Sequence, residues 1–317
     1  MKSFYQFMKE KVELYYRERA GIGRDFFTAP ELDRIFGFAL AEKIIPLLES
    51  ISTPNVVELG AGRGLMAKDI LQFVAERKPT LYERLSYRIY ETSPLLREFQ
   101  GKVLQEYRDK VMWLDRLEIP EEAVVISNEF FDCLPVHVVK EGKELYLKDK
   151  EKVWLPCDER VKQFLRRMGY ENIKTVVEVC LECIDLLKRI ADSMKRGYIL
   201  TIDYGYTSQD LHRYPEGTVV GYKEGRVYYD IFSEDLMDLS AMVNFSALVE
   251  WGEEYGLRTV FLKKQRHFLL ESQSFVDELT GLSMSEKPED IERLSRLKTM
   301  LISMGDRFWV LLQAKGV

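Results

Sequence analysis

Short apolar runs alternate with amphipathic ones along most of the chain. Residues 56–59, 123–127 and 198–202 are continuous apolar or β-branched runs, the mark of strands buried on both faces. Residues 85–90 alternate like a strand, 111–113 form a weaker one, and 258–262 and 308–313 supply two more. Helical periodicity lies between them: over 65–74 behind a glycine cluster, from Pro94 through Leu104, and over 245–255. Apolar residues at 176, 180, 183, 187, 190 and 194 predict a helix over 176–194, stopped by Lys195, Arg196 and Gly197. Strands alternating with helices predict an α/β fold built on a parallel, doubly wound sheet.

Two stretches break the alternation. Residues 135–175 hold short strand-like pieces and a helix, and 205–244 are rich in Gly, Tyr and charge without long periodicity. Both follow the carboxyl ends of predicted strands, where open α/β sheets bind ligands. The first 20 residues form a charged amphipathic helix with no hydrophobic signal region. No apolar run approaches the ~18 residues of a membrane span, so the expectation is a cytoplasmic protein. Apolar residues make up 46% of the chain, enough for a large core and too many for global disorder. A net charge of −6 argues against a nucleic-acid partner.

Chemistry concentrates in Glu58-Leu59-Gly60-Ala61-Gly62-Arg63-Gly64, a strand running into a glycine turn and then a helix. Glycines allow positive φ and remove Cβ atoms that would block a ligand against the backbone. A dinucleotide fingerprint wants its third glycine where Leu65 stands. Acidic-x-Gly-x-Gly-x-Gly is instead the nucleoside turn of class I methyltransferases and points to S-adenosylmethionine. Gly60, Gly62 and Gly64 with Glu58 are its candidate contacts. Glu91, at the end of the next strand, can accept ribose hydroxyls, and Asp115 the adenine amino group.

Ser127 to Pro135 follow the fourth strand as S-N-E-F-F-D-C-L-P. Asn128, Glu129 and Asp132 offer an amide and two carboxylates among Phe130 and Phe131. Paired carboxylates suit a guanidinium, whose planar fork binds acids in a bidentate way. Methyl displacement needs alignment more than acid–base power, so carboxylates that orient the acceptor and rings that exclude water are a sufficient set. Asp203 and Tyr204 end a later strand at the same edge. Thr28-Ala29-Pro30-Glu31 has the spacing of a capping box; Thr28 either starts a helix or belongs to a lid over the cofactor.

Taken together these blocks resemble the MidA family of S-adenosylmethionine-dependent methyltransferases. Residues 23–31 with Phe36-Gly37 are similar to its G-D-F-T-S-P-E…F-G opening, and 58–64 to its E-L-G-x-G-x-G. Residues 128–135 resemble N-E-F-F-D-A-L-P, 202–205 match I-D-Y-G, 238–245 resemble D-L-T-A-H-V-D-F, and 304–308 resemble M-G-x-x-F. Met242 and Asn244 depart from that pattern.

The resemblance implies a Rossmann-like class I fold with a seven-stranded, mostly parallel sheet. It implies an N-terminal helical segment or lid over 1–50 and a cofactor domain over 51–317, with insertions at about 135–175 and 205–245. It further implies methylation of an arginine on a protein partner, in the manner of respiratory complex I assembly. Alternatives are a methyltransferase for a small molecule or another residue, and an assembly chaperone with a relic pocket. Cys180 and Cys183 lie on the apolar stripe of the 176–194 helix and are expected to pack as core thiols. His137, His212 and His267 show no metal-ligand spacing, and no metal is expected.

Overall fold

Val56 and Val57 point to opposite faces of one strand, and both are fully buried. That is the condition of a central strand covered by helices on each side. The computed structural model describes residues 1–148, 151–233 and 236–317. Its main sheet runs, edge to edge, Arg258–Lys264, Phe308–Lys315, Arg196–Tyr206, Glu122–Asn128, Asn55–Leu59, Ser86–Tyr90 and Val111–Leu114. The last five of that order pair in parallel, and Phe308–Lys315 runs antiparallel to both its neighbours. Val243–Asn244 adds a two-residue parallel bridge beside Gly205 and Tyr206. The seven predicted strands all occur.

One face packs Val56, Ile89, Val124 and Ile126 against Phe36, Leu40 and Ile44 of the Ile35–Glu49 helix and Ile70 and Val74 of the Leu65–Arg77 helix. The other packs Val57, Leu59 and Val125 against Leu187 and Ile190 of the Leu181–Ser193 helix and Phe245 and Leu248 of the Phe245–Glu254 helix. From Asn55–Leu59 the chain builds outward through Ser86–Tyr90 and Val111–Leu114, then crosses back to Glu122–Asn128. Asn55–Leu59 and Glu122–Asn128 therefore flank the topological switch point, where ligands sit in such sheets. Their carboxyl ends carry the glycine turn and the Asn128–Pro135 loop.

Three predicted elements change. The 176–194 helix begins only at Leu181, because β-branched Val177 and Val179 are drawn into a strand pairing with His137–Lys140. The helix that the Thr28–Glu31 spacing starts stops at Leu32, because Asp33 is extended and ion-paired with Arg293, and a new helix begins at Ile35. Residues 205–244 contain a small antiparallel sheet of Val220–Lys223, Arg226–Tyr228 and Asp238–Ser240. The 135–175 insertion belongs to a second sheet, which Lys2–Ser3 joins ahead of the Phe4–Glu18 helix. Cys180 and Cys183 are joined by a disulfide, with Cys180 capping the Leu181–Ser193 helix. They are not the separate core thiols the apolar stripe suggested. No helix among the described residues is long and apolar enough to cross a membrane.

Candidate active site

Gly60 and Gly62 adopt φ of +64° and +53°, in the left-handed region that a side chain disfavours. They serve different purposes. A Cβ on Gly60 would lie 2.5 Å from the Phe130 ring, so this glycine lets the Asn128–Pro135 loop close on the turn. A Cβ on Gly62 would meet only the Ile22 Cδ1, at 3.2 Å, and would otherwise fill the recess in front of it. Gly64 caps the Leu65–Arg77 helix and packs against Gln100, away from the recess. The spacing argument assigned it to the ligand; the structure assigns it to helix packing.

The recess is lined by Glu58, Gly62, Asn128 and Glu129 and roofed by Ile22, Phe26 and Thr28. Thr28 is the N-cap residue of the short Ala29–Leu32 helix, without a side-chain capping bond, and it also lines the recess. Glu58 is 1% exposed and accepts from the Tyr87 hydroxyl at 2.6 Å. Burial raises its carboxyl to about 7, against the opposing effect of Tyr87 and with help from Glu91. Asn128 Oδ1 is buried without a hydrogen-bond partner among the described residues. A recess with an acidic wall, an unpaired acceptor and no Cβ at Gly62 fits the positive charges of S-adenosylmethionine. Its volume is about 40 Å³, room for a water or so, so entry of a nucleoside requires the roof segment to shift.

Glu91 is buried nearby and accepts from the Ser93 N–H at 2.9 Å and from Gln100 Nε2 at 3.3 Å. Gln100 also donates to the Gly62 carbonyl and accepts from Trp113 Nε1. This fully buried amide ties the turn, Glu91 and the neighbouring strand together. It was missed in sequence, although a glutamine in the apolar register of the Pro94–Val103 helix was its visible signal. Asp115 is corrected: its side chain is 93% exposed, paired with Arg97, and lines neither the recess nor the cavity beyond it.

Glu129 sits at φ +51°, rare for a residue with a side chain. Its backbone N–H donates to the Ile202 carbonyl, and Asp203 accepts from the N–H groups of Phe130, Phe131 and Tyr204. The neighbouring strand thus imposes the bend, consistent with strain gathered at a functional site. Asp203 is fully buried and committed to the loop backbone, so it positions the loop rather than meeting substrate. Phe131 is likewise core, packed beside Leu187, and Phe130 stands edge-on to it over Gly60. Of Phe130, Phe131, Asp203 and Tyr204, the candidates for the acceptor side, only Tyr204 lines the cavity described next.

That cavity, about 410 Å³, shares Glu129, Tyr16 and Phe26 with the recess. Asp132, Asp238, Tyr204 and Tyr222 complete its inner wall, and exposed Phe27 and Arg307 stand at its rim. Glu129 accepts from Asn128 Nδ2 and from the Ala29 N–H, both on Oε1. Burial and the charge of Asp132 raise its carboxyl to about 8, although part of the residue stays open to the cavity. Burial holds Asp132 above the usual carboxylate range, and Asp238 well above it. Asp238, Tyr16 and Tyr222 were not among the residues picked from the sequence. Crowded acids between tyrosine rings make a site for a planar cation. Apart from this, His137, Glu144 and Asp158 bring ligand atoms within 4.8 Å of one another. A His137–Glu144 hydrogen bond and the helix cap made by Asp158 already account for that grouping.

The family model for S-adenosyl-L-methionine-dependent methyltransferases matches residues 39–262. A Drosophila melanogaster protein named protein arginine methyltransferase NDUFAF7 homolog, mitochondrial, is 26% identical over 96% of this chain and 78% of its own length. The human protein arginine methyltransferase NDUFAF7, mitochondrial, is 25% identical over 92% and 74%. A Burkholderia thailandensis crystal structure bound to S-adenosyl-homocysteine superposes with a TM-score of 0.84 at 26% identity, covering 99% of this chain and 88% of that one.

Proposed function

The chain belongs to the MidA family of S-adenosylmethionine-dependent methyltransferases, and from that premise we propose that its acceptor is an arginine guanidinium on a protein partner. The observation that carries this is the cavity beside the glycine turn, where Glu129 and Asp132 face a space walled by Tyr16, Tyr204 and Tyr222. A guanidinium satisfies separate carboxylates with donors in one plane. The names of the curated relatives support the same acceptor.

In this reading Glu58, Gly60, Gly62 and Asn128 hold the cofactor, with Glu91 supporting the turn through Gln100. S-adenosylmethionine supplies an electrophilic methyl group when bound. Glu129 and Asp132 orient the guanidinium and bias its electron density toward one nitrogen. A nitrogen that gains a methyl sheds a proton, and Glu129, once the charge of the bound guanidinium has ionised it, is placed to take that proton. Phe26, which lines both the recess and the cavity, keeps water from their junction. We place the activity in the cytoplasm and the partner among respiratory-complex proteins under assembly, as the sequence resemblance implies.

The test is transfer of an isotope-labelled methyl group from S-adenosylmethionine to protein partners, followed by acid hydrolysis and amino-acid analysis. Label in methylarginines supports the reading. Label confined to another residue overturns it.

A further inference from the structure

Asp238 belongs to the short Asp238–Ser240 strand of the inserted sheet, far in sequence from the loop that carries Glu129 and Asp132. It is 4% exposed and lines the cavity. Its Oδ2 accepts from the Tyr16 hydroxyl at 3.3 Å, and its Oδ1 is buried with no partner among the described residues. A buried carboxylate oxygen left without a donor is expensive, and neither the fold nor the cofactor recess accounts for it.

We propose that Asp238 is a specificity-determining residue, a second acidic anchor that clamps the acceptor together with Asp132 and selects a guanidinium over an ammonium group. The inference rests on the cavity being the acceptor site. Ser240 lies two residues on, on the same face of the strand, and its hydroxyl donates to Asp132 Oδ2 at 2.7 Å. One short strand thus presents an acid and, through Ser240, fixes a second acid that arrives from the catalytic loop. Tyr222 pairs across the strand with Asp238 and lines the same cavity.

The strand's place is well determined. Leu239 is fully buried, and a Cβ on its cross-strand partner Gly221 would collide with Met237 at 2.2 Å. Asp132 has Ser240 on one oxygen, Asp238 has Tyr16, and Glu129 takes both its bonds on Oε1. Acceptors spread in this way around the cavity match five donors fixed in a plane better than three donors on a single nitrogen.

The experiment uses the full chain saturated with S-adenosyl-homocysteine, titrated with acetyl-Gly-Arg-Gly-amide and with its lysine counterpart. The wild type is expected to bind the arginine peptide at least tenfold more tightly. Asp238→Asn keeps an acceptor for Tyr16 but loses the charge. It should weaken the arginine peptide tenfold or more, change the lysine peptide less than about threefold, and leave S-adenosyl-homocysteine affinity unchanged. In turnover the loss should fall on KM for the peptide rather than on kcat. Undiminished arginine affinity in Asp238→Asn, with the wild type binding normally, overturns the clamp alone. Absence of arginine binding in the wild type removes the arginine reading and the clamp with it. Asp238→Ser, read in the same way, serves if the asparagine variant does not fold.

Discussion

Replacing Glu129 by Gln should stabilise the protein at neutral pH while abolishing most transfer. Burial and the charge of Asp132 push the Glu129 carboxyl up to about 8, from 4.5 for a free glutamate side chain. A folded-state pKa raised above the unfolded one means that the folded chain holds the extra proton between pH 4.5 and about 8. Stability from that proton is present below 4.5 and is lost as pH rises through the window. At pH 7 the gap from 4.5 corresponds to at most about 3 kcal/mol at ~1.4 kcal/mol per pH unit. Water in the cavity screens part of it, leaving roughly 1–3 kcal/mol. Gln removes that penalty and retains an oxygen for the Asn128 and Ala29 donors. For a chain of 317 residues an unfolding entropy near 0.7 kcal/mol per degree turns the gain into a Tm increase of about 2–4 °C at pH 7. The gain should shrink to below about 1 kcal/mol at pH 5. Thermal unfolding of both proteins at the two pH values, beside a methyl-transfer assay, checks the reasoning. A pH-independent difference, or a variant less stable at pH 7 than at pH 5 relative to wild type, refutes it.

Other substitutions read other parts of the site. Gly62→Val places a branched side chain in the recess at a positive φ; it should cost about 1–2 kcal/mol of stability and abolish S-adenosylmethionine binding, and wild-type affinity by calorimetry would remove the pocket assignment. Asp203→Ala strips the acceptor from the N–H groups of Phe130, Phe131 and Tyr204. It should lower stability by about 2–4 kcal/mol and reduce transfer through loss of the loop bend, visible as a lower denaturant midpoint. Alkylation of the denatured chain without reductant should label Cys133 and Cys157 only, and all four cysteines after reduction; four labelled cysteines at the outset would contradict the disulfide.

Much of the scaffold is readable from local pattern. Val56–Val57 and Val124–Val125 are runs that only a doubly covered strand tolerates, and the glycine turn follows one of them directly. Glu58 and Glu129 were found for the same reason, since Glu58 lies next to the end of Asn55–Leu59 and Glu129 one residue past Glu122–Asn128. Where prediction failed, a distant partner overrode a local signal. Val176 and Cys180 open a helical stripe, but His137–Lys140 offers Val177 and Val179 between them a ladder. Asp203 reads as a ligand-edge acid, yet the loop of Phe130 and Phe131 folds over it and takes Oδ2, while the Tyr204 N–H takes Oδ1.

By itself the sequence determined the order of elements, the strand–turn–helix for a nucleoside and the acidic aromatic loop beside it, because periodicity and turn chemistry act over a few residues. The tertiary structure decided which acids line the cavity. Asp132 and Asp238 meet only when a 205–244 insertion folds back across the sheet edge, and Asp115, equally acidic in sequence, is left in solvent. Contact between residues more than a hundred positions apart depends on how the elements pack, and no local pattern of polarity records it.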